Sequence, residues 1–161
     1  MMKKDINDRI LAYKNLLAAD DTRIAYEFLL KYVMTLKAAF EKTYSGKYNC
    51  GNVSPGYMDF TYFSFFDTCL RERKLRFGIV LNHKKMQFEL WLMGQNASVQ
   101  KHYWDQLKST KWNEGRSAMP KYSVLEATLL DNPNFDETDS LTTQIVNAAG
   151  SLASEIIQYM K

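Results

Sequence analysis

The chain has 161 residues, a formal net charge of +3, 14% aromatic and 24% charged residues. That length suits one domain, which buries roughly two thirds of the surface its unfolded chain exposes and needs no disulfide or metal to hold it together. The aromatic content excludes a disordered chain, which lacks the apolar surface to offset backbone entropy.

In chain order, no apolar run follows Lys3 and Lys4 as in a secretory leader, and no apolar stretch approaches the roughly 18 residues a membrane span needs. A non-membrane, cytoplasmic protein is expected. Ile6, Ile10, Tyr13 and Leu17 recur at helical spacing and predict a helix over about 5–19. Asp20, Asp21 and Thr22 interrupt it and offer N-caps for a second helix over about 22–44. There Ala25, Phe28, Leu29, Tyr32, Leu36, Ala39 and Phe40 form a wide apolar band, which marks a central helix. Residues 45–56, with three glycines and Pro55, read as a loop.

Tyr57 to Phe65 reads as a strand, apolar on both parities and therefore central. A short connection follows, with a helical turn capped by Asp67 as one option. Leu75–Leu81 and Met86–Leu92 alternate as two strands. Leu75, Phe77, Ile79, Leu81, Phe88, Leu90 and Leu92 are expected on one buried face, with Asn82–Lys85 as the hairpin loop. A helix is predicted over about 97–109, a basic loop over 111–121, a strand over about 122–130 and a last helix over about 136–160. The whole reads as a single α+β domain, residues 1–161, of order ααβββαβα, with a small sheet containing an antiparallel hairpin and helices packed on it.

Cys50 and Cys69 are the only cysteines, and His83 and His102, the only histidines, stand at no zinc-ligand spacing. No metal and no cofactor is expected, and the thiols read as free in a reducing compartment. Charge is unevenly spread: Arg71–Lys121 carries eleven Lys/Arg against four Asp/Glu, and Tyr122–Lys161 one Lys against six acids. Two solvated faces that attract each other explain this, as does a basic surface for an acidic partner.

One polar spot stands out. With Leu81 opposite Met86, Gly78 faces Glu89 and Arg76 faces Trp91 on the second face of the hairpin. Arg76 then reaches Glu89 diagonally and Gly78 leaves room beside the carboxylate. Asp59, within a greasy strand, is expected on the same face. Tyr57, Asp59, Arg76, Gly78, Glu89 and Trp91 thus form either a satisfied polar network or a pocket floor with Tyr57 at its rim.

No catalytic constellation is legible: there is no phosphate loop and no nucleophile elbow. The element order resembles the core of restriction-endonuclease-like nucleases. Such an enzyme would need an acid on the second core strand and Glu-x-Lys on the third. Here Leu75–Leu81 has no acid, and Trp91 stands where the lysine belongs. The run from Pro55 to Phe65, the run from Ile79 to Leu92, then Gly94, Asn96, Gln100, Tyr103 and Trp104, and finally Asn132–Asp136, together resemble a bacterial family of uncharacterised proteins over nearly the whole chain. The resemblance implies a stand-alone domain and no activity. The first functional reading is a non-enzymatic binding or interaction module for a small molecule or protein. The alternatives are a nucleic-acid-binding domain using residues 71–121, with Trp91, Tyr103, Trp104 and Trp112 as stacking rings, and an enzyme with Asp59 and Glu89 as its acid/base pair.

Overall fold

Antiparallel pairing organises the fold. In the computed structural model, which describes residues 3–161, five strands lie in the order β1-β2-β3-β4-β5: β1 Asn49–Cys50, β2 Phe60–Phe66, β3 Leu75–Asn82, β4 Gln87–Gly94 and β5 Leu125–Leu130. The helices are α1 Ile6–Leu16, α2 Asp20–Thr43, α3 Thr68–Glu72, α4 Ala97–Leu107 and α5 Thr138–Met160, with a 3-10 turn at Lys111–Asn113. This is the α+β class and the order ααβββαβα expected from the sequence, with the short β1 added and the connection after β2 taking the option of a helical turn, α3, capped by Asp67. The chain divides into two compact units, the first ending at Tyr32 and the second running from Val33 to Lys161.

In the first unit, Asp5 caps α1 by accepting the Asp8 N–H at 2.8 Å. The stripe that predicted this helix stays in solvent: Ile6, Ile10 and Tyr13 are all more than half exposed. Asp20 and Asp21, expected as caps, lie inside the first turn of α2, where the helix dipole favours acids.

In the second unit, one face of the sheet carries Phe63 and Phe65 from β2, Phe77, Ile79 and Leu81 from β3, and Phe88, Leu90 and Leu92 from β4, all fully buried. The C-terminal part of α2 lies on it. The Phe40 ring sits 5.9 Å from that of Phe63 and 4.5 Å from that of Phe65. Helix α5 covers β4 and β5 with Leu141, Ile145, Ala149, Ala153 and Ile156. Where α2 and α5 meet, the Tyr44 hydroxyl donates to the Val146 carbonyl at 3.3 Å. Its ring lies so close to Gly150 that a Cβ there would clash with it, which explains a glycine in the middle of a helix.

Several boundaries differ from the sequence reading; β5, for one, begins at Leu125, three residues later than expected. Strand β2 starts at Phe60, because Gly56 and Met58 take positive φ (71° and 63°) and turn the chain before it. The hairpin loop is His83–Met86, one residue later than expected, with Met86 at φ 50°. Asn82 and Gln87 close the ladder, and Asn82 Oδ1 accepts the Lys85 N–H at 3.2 Å. The register therefore moves by two residues: Leu81 faces Phe88, Gly78 faces Trp91 and Arg76 faces Met93. A slip of two preserves side-chain parity, whereas a slip of one reverses it, so the set of residues expected to be buried is unchanged. The short β1 falls within the expected loop, and two residues are too few to leave a periodicity.

Candidate functional site

The second face of the same sheet is mixed. Its alternate positions are Phe60 and Tyr62 on β2, Arg76, Gly78, Val80 and Asn82 on β3, Gln87, Glu89, Trp91 and Met93 on β4, and Glu126 and Thr128 on β5. Val80, Trp91 and Met93 form a buried apolar floor against which Phe60 and Tyr62 pack. Phe60 meets Trp91 edge-on at 4.8 Å between ring centroids.

Glu89 is buried beside this floor, only 4% exposed. A buried carboxylate without partners would cost several kcal/mol. Its oxygens instead accept from Trp91 Nε1 at 2.8 Å, from Asn82 Nδ2 at 3.0 Å and from Gln87 Nε2. Arg76, which the sequence register set diagonal to Glu89 as its partner, is not among the donors. It faces Met93, is exposed, and forms no ion pair among the described residues. The space at Gly78 serves Met93 and Tyr62 rather than Glu89: a Cβ there would come within 2.7 Å of the Met93 methyl.

Asp59 lies in the turn ahead of β2, not in the strand. Exposed, it accepts the Tyr57 N–H at 2.8 Å and the Phe60 N–H at 2.7 Å through Oδ1. Those two backbone donors hold its carboxyl below the usual carboxylate range. The second acid on the face of Glu89 is Glu126. Burial pushes its carboxyl up, with Glu89 adding to the rise, while the Ser123 hydroxyl and Arg116 act the other way. An acid within an otherwise apolar strand was the visible signal for Glu126. The partners of Glu89 were obscured because Asn82 read as loop, which left Gln87 with no cross-strand amide beside it and set Arg76 diagonal to Glu89.

Two cavities open beside the floor. A groove of about 310 Å³ is walled by Phe60, Tyr62, Trp91 and Met93, with Tyr57, Asp59 and Tyr122 at its rim. A second, of about 430 Å³, is lined by Phe66, Arg71, Lys74, Leu75, Gln95 and two residues that it shares with the groove, Arg76 and Gly94. Of the six residues singled out from the sequence, Tyr57, Asp59, Arg76 and Trp91 line the groove, and Glu89 and Gly78 do not. The contribution of Arg71 and Lys74 was missed: both are ordinary exposed cations until the turn into β3 brings them beside Arg76.

The rest of the basic stretch is dispersed. Lys108 pairs with Asp105, and Lys111 and Arg116 pair with Glu155 and Glu126 of the acidic C-terminal stretch. Trp91 is buried and Trp104 and Trp112 half-buried. Cys50 and Cys69 are free thiols. Burial pushes that of Cys50 up to about 11, with Glu41 raising it further and Lys37 opposing, the reverse of what activates a nucleophile. Among the described residues, no helix is long and apolar enough to cross a membrane and no three His, Cys, Asp or Glu side chains gather as metal ligands.

The model of a family described as a domain of unknown function (DUF7000) matches residues 6–160. No curated protein and no solved structure matches significantly.

Proposed function

The chain belongs to the DUF7000 family, a domain of unknown function, and from that premise we propose that it is a non-enzymatic module of the bacterial cytoplasm that binds a small molecule in the groove over Trp91. One observation carries the reading. The second sheet face leaves a concave space of about 310 Å³ between aromatic walls, and its floor is fixed from below by the hydrogen bond from Trp91 to Glu89. Small-molecule sites are concave, mostly apolar and pre-formed, with a few polar groups at their edges. Glu89 has no part in chemistry on this reading, since both its oxygens are occupied; it holds the Trp91 ring at one angle. Free thiols at Cys50 and Cys69 agree with a reducing compartment.

Indole, a flat and uncharged probe, tests the groove. In protein labelled with 13C at the methionine methyls, a titration at low-millimolar indole is expected to shift the Met93 resonance by ring current. The Met34 resonance should stay in place, because that side chain is exposed on α2 and lines no part of the groove. A Met93 methyl that does not move at saturating indole, or that moves no more than Met34, overturns the reading.

A further inference from the structure

We infer that the ligand of this groove is a small molecule in which a flat aromatic ring is joined to a phosphate-like anion, the ring lying against Trp91 and the anion on Arg76. The inference rests on the groove reading above and adds the ligand's chemistry. Arg76 stands in the walls of both cavities, so its side chain marks the joint between an aromatic half and a basic half. In the basic half it is joined by Arg71 from α3 and by Lys74, which enters β3 through left-handed backbone at φ 57°. All three are exposed, and none is in an ion pair among the described residues. Three uncompensated cations in one concavity repel one another and favour a bound anion. A guanidinium fork presents paired N–H donors to two oxygens at once, the geometry of phosphate recognition.

The aromatic half selects the other end of the ligand. Phe60, Tyr62 and Trp91 offer ring faces and edges to a planar group. The two cavities, about 310 and 430 Å³, lie in the size range of small-molecule sites. A polymer fits the charge less well. A single strand needs a basic track along its backbone, and here only three cations meet. Of the other eight in residues 71–121, Lys84 and Lys85 lie at the hairpin tip and Lys101 on α4. Arg73 donates to Cys69 from the separate cavity that Lys74 also lines, Lys121 stands over the Tyr122 ring, and Lys108, Lys111 and Arg116 are engaged by carboxylates.

Adenosine and adenosine 5′-monophosphate are the paired probes, compared by isothermal titration calorimetry with the full chain. The monophosphate is expected to bind at least about tenfold more tightly, the effect of one or two charge-assisted hydrogen bonds. Arg76→Gln should abolish that difference, so that adenosine and the monophosphate bind the variant with equal affinity. Arg71→Gln and Lys74→Gln should each remove part of it. These side chains are exposed, so the variants should melt with the wild type. If adenosine or indole moves the Met93 methyl but the phosphate adds nothing, the ligand assignment fails and the groove reading stands. If no probe moves Met93, the groove reading fails with it. A short oligothymidylate that binds more than about tenfold more tightly than the monophosphate overturns the assignment in favour of a nucleic-acid strand.

Discussion

The two faces of one sheet use the same three central strands to opposite ends. On the face under α2 and α5, Phe77, Ile79, Phe88 and Leu90 are fully buried and contribute through area removed from water, about 1.5–3 kcal/mol for each such side chain. On the other, residues one position along hold a carboxylate, two amides, an indole and an exposed arginine. The first face is apolar but for Thr61 at its edge, whose hydroxyl donates to the Pro55 carbonyl, because helices close it. The second carries a carboxylate because its donors are aligned by the ladder itself: Asn82 and Gln87 are a cross-strand pair, and Trp91 lies two residues beyond Glu89 on the same side. The difference separates two ways of fixing a core, by volume and by hydrogen-bond geometry, and the groove lies beside the second.

Truncation on the closed face gives the largest effect. Phe88→Ala should lower the unfolding free energy by about 3–5 kcal/mol in urea denaturation, through lost transfer energy and the cavity left behind. A loss below about 1 kcal/mol would show that α5 does not seal this face.

Next is the network. Glu89→Ala strands the Trp91 and Asn82 donors in a buried site and should cost about 2–4 kcal/mol. Glu89→Gln, which keeps one acceptor oxygen, should cost less than half of that. Equal losses in the two variants would show that packing, not hydrogen bonding, sets this part of the core.

The smallest effect sharpens the sign of the charge term. The folded-state carboxyl of Glu126 is raised, first by burial and further by Glu89, with Ser123 and Arg116 opposing. A raised folded-state value means that its contribution to stability is fully present below the unfolded-state range and is lost as pH rises through the folded-state one. Glu126→Gln should therefore remove a decline in stability as pH rises from the ordinary carboxylate range toward neutrality, leaving the variant equal to or slightly more stable than the wild type at neutral pH. Unfolding free energies measured across that range would refute this if the variant were the less stable protein at neutral pH.

Sequence alone determined the longer elements and the parity of the hairpin. Alternation over Leu75–Leu81 and Met86–Leu92 depends only on the period of two of a strand, and it survives an error of two in register because faces repeat at that interval. In α5 the helical period, which is local, predicts a stripe of Leu141, Ile145, Ala148, Leu152, Ile156 and Tyr159; Leu141, Ile145 and Ile156 are buried, Ala148 and Leu152 half-buried, and Tyr159 is exposed. Which residues oppose one another was decided by the loop, where Met86 takes left-handed backbone and Asn82 braces the turn. Those are choices among conformations that differ little in local energy. Asp59 left the expected network because Gly56 and Met58 turn the chain ahead of β2. Arg71, Lys74 and Arg76 became neighbours only when α3 and the turn at Lys74 folded them together. Periodicity reports which side of an element is apolar; the partner across the ladder and the company of an exposed charge depend on chain reversals, which only the assembled sheet fixes.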